Sequence, residues 1–379
     1  MVKIVAGSQA ALPIAYIIGV DSIIAHLVTT ALILLFSMLS PRRVSAEVVY
    51  LAIFVGASLL ISACVEIREE TSLAGYIKYA AVLINLAGLL VVVERKYLTC
   101  YLNTYFLISV GFAVLHLGMI LLGQIPDHYG RFTYFGGAHP NLGGEIYCVV
   151  IAFGAIACVN SRLFFFVSAV VLGCVFLMQA RAALLVTISI VFLRAMLSLV
   201  PRIDARNVVA FSVILCSVSL LVLVEGSVVE LFLDKAMLSN DVHRGMGTGF
   251  VGREERWRDA FEVFSSSPFT GVGLSYYDRS SERESPHNAI LYGLALHGIF
   301  SLFFWGFLAR SAYVAYNAKP EAVLILAPLV LLLLFNDRFL NLNPYPLLVY
   351  FAITKLSMNN ICQQCRNSPG QVRQLANLA

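Results

Sequence analysis

Apolar residues in this chain come in runs of about 18 to 22 separated by short polar connectors, and that is the length a helix needs to cross a bilayer's hydrocarbon. In order, the runs are 4–20, 22–39, 47–64, 73–93, 100–123, 140–159, 163–179, 182–200, 207–224, 287–309, 321–336 and 345–357. They predict an all-α polytopic membrane protein with about twelve transmembrane helices. Composition agrees: the 379 residues are 59% hydrophobic and only 13% charged, far from the balance of a soluble domain. The first run after Lys3 is followed closely by a second, which argues against a cleavable signal peptide.

Basic residues give an orientation independent of the span count. With the long polar stretch 225–286 placed outside, 14 of the 26 Lys and Arg residues fall on the cytoplasmic side, 5 in outer turns or span ends, and 7 in the stretch itself. That asymmetry places both termini inside and the long loop in the periplasm or cell exterior. The net charge of +4 mostly reflects these cytoplasmic turns and gives no reason to expect a nucleic-acid partner. The expected organisation is spans 1–9 over 1–224, the external loop 225–286, spans 10–12 over 287–357, and a polar, mobile tail over 358–379.

Cysteines add little. Six lie in or beside apolar runs, where a thiol behaves as a small hydrophobe, and 225–286 contains none, so no disulfide holds the external loop. Cys362 and Cys365 form a lone C-x-x-C without the further ligands or context of a zinc or redox site.

Chemistry has to come from the external loop and from polar positions on the same side. Over Arg253–Phe264, the residues Trp257, Ala260, Phe261 and Phe264 recur at i, i+3, i+4 and i+7, predicting an amphipathic helix against the membrane surface or the bundle. Gly252 precedes it and Ser265, Ser266, Ser267 and Pro268 end it. Arg253 falls on the apolar stripe at the positive end of the helix dipole, where a cation calls for an anionic partner. Arg256 and Arg258 flank the stripe, positions that also suit solvated or carboxylate-paired side chains.

Three more groups interrupt apolar sequence at the outer face: Arg131 with His139, Pro140 and Asn141; Arg181 in QARAAL; and His287 with Asn288 in PHNAIL. An ionisable residue at membrane depth is a functional hypothesis, because burying it costs several kcal/mol unless it is paired or hydrated. Simpler readings stand beside each. Arg181 can snorkel to headgroups, His287 can cap a span or pair with Asp278 or Glu284, His139 can be a turn residue, and Asn141 can cap the sixth span. His26, His116 and His297 lie inside apolar runs and read as structural.

Guanidinium groups bind phosphate through paired donors and stay charged when desolvated, while an imidazole can take a proton from an attacking hydroxyl. Together they suit transfer of a group from a lipid pyrophosphate to an alcohol. The external residues show neither clustered carboxylates for Mg²⁺ nor paired-His spacing for zinc, so a metal-independent reaction without a cofactor is expected.

GREERWRDAFEVFSSSPFTGVG followed by PHNAIL resembles the signature of the bacterial O-antigen ligase and O-antigen polymerase superfamily: a G-R-x-x-x-W segment, an s-P-x-x-G-x-G turn and an H-N pair in the principal periplasmic loop. QARAAL resembles its S-R-G-A-like segment, with Ala180 and Ala182 where serine and glycine are common, and HPNLGG its earlier P-N element. The resemblance covers about residues 131–310. It implies a many-helix fold of the C type of membrane glycosyltransferase in the inner membrane, active at the periplasmic face. It also implies a polyprenyl-pyrophosphate-linked glycan donor. Carried over, His287, Arg253 and Arg181 are the expected catalytic residues, and Arg131, His139, Asn141, Arg256, Trp257 and Asn288 are expected to bind substrate.

The implied acceptor is a glycan, for a polymerase, or lipid A-core, for a ligase; a chain-length regulator is a candidate further partner. Nothing in the loop suggests a docking surface for a multiply phosphorylated core, which favours the polymerase. The competing class is a flippase for lipid-linked oligosaccharide. A carrier should spread its charges through the midplane and show two related halves, and neither is visible.

Overall fold

The computed structural model describes residues 1–17, 22–38, 45–66, 73–125, 132–157, 159–199, 253–278, 285–334 and 344–367. These residues are helical, without a strand. The helices are α1 (Val2–Ala10), α2 (Leu12–Ile17), α3 (Ser22–Met38), α4 (Ala46–Glu66), α5 (Leu73–Val92), α6 (Leu98–Leu121), α7 (Pro140–Ile156), α8 (Ser161–Leu177), α9 (Arg181–Leu199), α10 (Arg253–Ser266), α11 (Ala289–His297), α12 (Ser301–Ala318), α13 (Pro320–Leu334) and α14 (Pro344–Asn367). Helices suit lipid because every backbone donor and acceptor is satisfied within the segment.

Each expected span falls on an apolar helix except 207–224, which lies outside the described residues. Four stretches are long and apolar enough to cross a membrane: Ala46–Glu66, Leu98–Leu121, Arg181–Ser198 and Ala289–Ala318. The other apolar helices are shorter. Three expectations need correction. The first span is two helices broken at Ala11. The span expected over 287–309 is α11 and α12, separated by a single turn that starts at Gly298 (φ 59°, ψ −153°). The polar tail instead continues α14 to Asn367.

The core is organised around α7, whose residues from Gly143 to Ala155 are all buried. A helix apolar on every side belongs in the middle of a bundle. Small residues let its neighbours approach closely: a Cβ on Gly144 would stand 2.7 Å from that of Ala183 and 2.8 Å from that of Ala180, and one on Gly154 would collide with the Phe106 ring. This small-residue seam aligns the starts of α7 and α9. Leu193 of α9 packs with Leu324 near the start of α13, and further along α13 the Leu329 carbonyl accepts from Tyr345, which lies by Glu145 near the start of α7, so α13 runs antiparallel to α7 and α9. Lys319 alone separates α13 from α12, so α12 starts at the same end of the bundle as α9, with α11 just before it.

Buried polar side chains fasten this arrangement. The His116 Nε2 lies 3.0 Å from the Thr133 carbonyl and its Nδ1 2.9 Å from the Tyr147 hydroxyl. A carbonyl only accepts, so Nε2 carries the proton and Tyr147 donates to Nδ1. His116 therefore ties the chain entering α7 to α6 and α7. Lys355 of α14 is buried with its Nζ donating to the Leu90 carbonyl at 2.8 Å, satisfying the last turn of α5.

Enlarging Gly144 to Leu should lower the stability of the purified protein by about 1–3 kcal/mol through overpacking of the α7–α9 seam. Gly111→Leu, at a site with nothing within 4 Å, should leave it unchanged or slightly raised. Thermal unfolding in detergent distinguishes them, and equal melting temperatures would refute the seam.

Candidate active site

The amphipathic segment forms α10, two residues longer than expected because Ser265 and Ser266 turn their hydroxyls back onto the Phe261 and Val263 carbonyls at 2.8 and 2.7 Å. Pro268 stands just beyond it. Its inner face is Ala260, fully buried, with Arg256, Trp257, Val263 and Phe264 half-buried. Phe261 is 56% exposed and Arg258 faces outward, so the buried stripe is rotated from the expected one. Among the described residues α10 packs along α11. Arg253 opens the helix.

The segment 267–275 joins α10 to the far end of α11. Its first loop closes on itself, the Gly271 N–H donating to the Ser267 carbonyl at 2.9 Å and the Ser267 hydroxyl donating to the Gly271 carbonyl at 2.8 Å. The Val272 and Gly273 N–H groups then donate to the Ala295 and Leu296 carbonyls at 3.0 and 3.1 Å, and the Ile299 N–H donates to the Pro268 carbonyl at 2.7 Å. The last carbonyls of α11 are satisfied by this turn, as a helix end buried in protein requires. Gly271 and Gly298 have positive φ of 67° and 59°, and a Cβ on either would strike the backbone of the other's segment. The s-P-x-x-G-x-G signature is thus a joint between two helices.

At the near end of α11, Asn288 is the N-cap: its Oδ1 accepts from the Ile290 and Leu291 N–H groups, each at 3.0 Å. His287, half-buried, precedes it in the left-handed region at φ 48°. Residues other than glycine take this conformation uncommonly, histidine along with asparagine and aspartate more often than the rest. Sequence reasoning missed the aromatic pair beside it. Tyr277 stacks on Tyr292 with centroids 5.2 Å apart and planes within 18°. Burial, with Tyr276 and Asp259 nearby, pushes the Tyr277 phenol well above its usual range, and its hydroxyl has no hydrogen-bond partner among the described residues. It stays protonated and available as a donor.

A second group gathers where α7 and α9 begin. His139, not Asn141, caps α7: its Nδ1 accepts from the Asn141 N–H at 3.2 Å, with Pro140 in the first helical position. Both His139 and Asn141 are exposed. Arg181 is the first residue of α9 and half-buried. Of the two alanines that depart from the expected pattern, Ala180 is buried against Gly144 and Ala182 is half-buried, while Gln179 takes the left-handed turn at φ 51°. Arg131 lies outside the described residues.

The structure therefore places Arg253, Arg256, Trp257, His287 and Asn288 on one packed helix pair, and His139, Asn141 and Arg181 on another. Helix directions set the starts of α7, α9 and α12 at the same end of the bundle. Among the described residues no three His, Cys, Asp or Glu side chains are grouped to hold a metal ion.

Residues 148–306 match the O-antigen ligase family. This match supports the O-antigen ligase/polymerase superfamily. No curated protein matches the chain. The O-antigen ligase segment takes in Arg181, α10, the glycine joint, His287 and α11, and it begins after His139 and Asn141. The match supports a membrane enzyme of O-antigen ligase/polymerase type in surface polysaccharide synthesis.

Gly271→Ala should destabilise the protein by more than the ~1–2 kcal/mol that a left-handed backbone costs an L-residue, because its methyl also strikes α11. Gly137→Ala, at φ 77° with nothing within 4 Å, should cost the backbone strain alone. Unfolding curves in detergent check the difference, and equal losses would remove the joint.

Proposed function

We propose that the protein transfers a glycan from a polyprenyl pyrophosphate to an acceptor hydroxyl, as an O-antigen or exopolysaccharide polymerase or an O-antigen ligase. The observation that carries this is the O-antigen ligase match over the segment that holds Arg181, Arg253 and His287. Supporting it, α10, which Arg253 opens and which carries Arg256, packs on α11, whose N-cap follows His287.

In the proposed reaction, the acceptor oxygen attacks the anomeric carbon, forming the new glycosidic bond as the bond to the pyrophosphate oxygen breaks. His287 takes the hydroxyl proton, which contributes about 10²–10⁴ in rate for a well-placed base. Arg253 and Arg181 hold the leaving polyprenyl pyrophosphate through paired donors, with charge stabilisation on that side the larger contribution. Arg131, Arg256, Trp257, His139, Asn141 and Asn288 bind the donor and acceptor sugars or phosphates. Asn288 uses its Oδ1 for the cap, which leaves its amide N–H groups for substrate. No metal or cofactor takes part.

The proposed setting is the bacterial inner membrane, with about twelve spans, the loop 225–286 in the periplasm and both termini in the cytoplasm, as the distribution of basic residues supports. The lipid tail of the donor reaches the site laterally from the bilayer. The acceptor is a second lipid-linked glycan or lipid A-core, and deletion of the gene separates them by whether free-lipid polymer or core-attached chain disappears.

Purified protein in detergent with a polyprenyl-pyrophosphate glycan should lose about 10²-fold or more of its transfer rate on His287→Ala. Arg181→Lys and Arg253→Lys should each weaken donor use sharply, because lysine cannot form the paired contact. Near wild-type transfer by His287→Ala would remove the general-base role, and activity lost to EDTA and restored by Mg²⁺ would overturn the metal-independent reaction.

A further inference from the structure

Glu66, the last residue of α4, has no role in the reaction described above and lies outside the O-antigen ligase segment. It is nonetheless wholly buried. Its Oε1 accepts from the Ser275 N–H at 2.8 Å and its Oε2 from the Tyr76 hydroxyl of α5 at 2.6 Å. The side chain packs so closely over Gly273 that a Cβ there would collide with the carboxylate. A carboxylate offers only acceptors, and both partners supply donors. Buried carboxyl groups are kept where their hydrogen bonds are fully used, and losing one side leaves the other uncompensated.

We propose that Glu66 is a positioning residue: it pins the joint 267–275 to the α4–α5 pair and so fixes where α10 and α11 hold Arg253, Arg256 and His287. The mechanical route is short. Val272 and Gly273 hold the C-terminal carbonyls of α11, and Ser275 lies two residues on. From there α11 is a rigid rod of about 13 Å, at ~1.5 Å per residue, ending at the Asn288 cap beside His287. On the other side of the joint the chain runs straight into α10. Releasing the joint lets both helices shift together relative to Arg181, whose helix is anchored separately on α7. Misplacement by about 1 Å is enough to cost a transfer reaction roughly 10²-fold. This assignment rests on the transfer reaction proposed above for its consequence, though not for the clamp itself.

The substitutions are Glu66→Ala, which removes both acceptors; Glu66→Gln, whose amide oxygen still serves Ser275 while its N–H group donates to the Tyr76 oxygen; and Tyr76→Phe, which removes one donor and leaves a milder defect if Glu66→Ala does not fold. Amide hydrogen exchange on the full chain in detergent should show protection lost in Glu66→Ala over the joint 267–275, α10 and α11, and regained in Glu66→Gln. With a polyprenyl-pyrophosphate glycan as donor, kcat should fall about tenfold or more in Glu66→Ala with donor KM within about twofold of wild type, the pattern of lost transition-state alignment. Tyr76→Phe should fall between, and Glu66→Gln should recover most of the rate. Exchange unchanged over the joint, α10 and α11, protection lost across α5–α9 as well, or an unaltered kcat in both Glu66→Ala and Tyr76→Phe would overturn the assignment. If the wild-type protein releases no polyprenyl pyrophosphate while the local exchange pattern holds, the clamp stands and the transfer reaction falls.

Discussion

A backbone taken out of water has to find its hydrogen-bond partners within the protein. Inside a straight helix this is automatic. At the break between α11 and α12 it is not, because the last carbonyls of α11 are buried and have no helix to continue into. The segment 267–275 solves this by lending its own N–H groups, and the geometry leaves room for no side chain at Gly271 or Gly298. From that one requirement follow the glycine signature, the parallel course of α10 beside α11, and the fixed distance between the arginine-bearing helix and His287.

The other half of the site depends on a different physical device. α7 and α9 are brought together by the meeting of Gly144 with Ala180 and Ala183, so contact is made by backbone and methyl groups with little side chain between. In lipid, where apolar side chains gain nothing by leaving solvent, such close van der Waals packing is what holds helices in register. Arg181 is carried on the first residue of one of these helices, so its location depends on this small-residue seam.

Much of this was legible in the sequence because hydropathy and spacing report directly on it. The helices appear as apolar runs, and α10 is visible between Gly252 and Pro268 from its period. The orientation of α10 was less so: Phe261 belongs to the apolar repeat yet faces outward, because the packing against α11, and not the repeat, decides which residues are covered. Averaged hydropathy cannot register a single backbone angle, so the break at Gly298 passed as one long span. Glu66 was invisible for a different reason. A carboxylate at the end of a span, followed by Arg68, Glu69 and Glu70, reads as solvated, and its partner Ser275 lies 209 positions away. His116 read as structural from its lack of motif context, and its two satisfied nitrogens give the physical ground. The cap of α7 went to His139 where asparagine seemed the better choice, since an imidazole Nδ1 can accept as an amide oxygen does.

Lys355 meets the Leu90 carbonyl across 265 positions of chain. During synthesis the fifth helix leaves the ribosome long before that lysine exists, so its final turn stays wetted by headgroups or water until the last helix arrives. Completion of the bundle is thereby tied to translation beyond Lys355, and a nascent chain stalled earlier is inserted in the bilayer yet open at that seam.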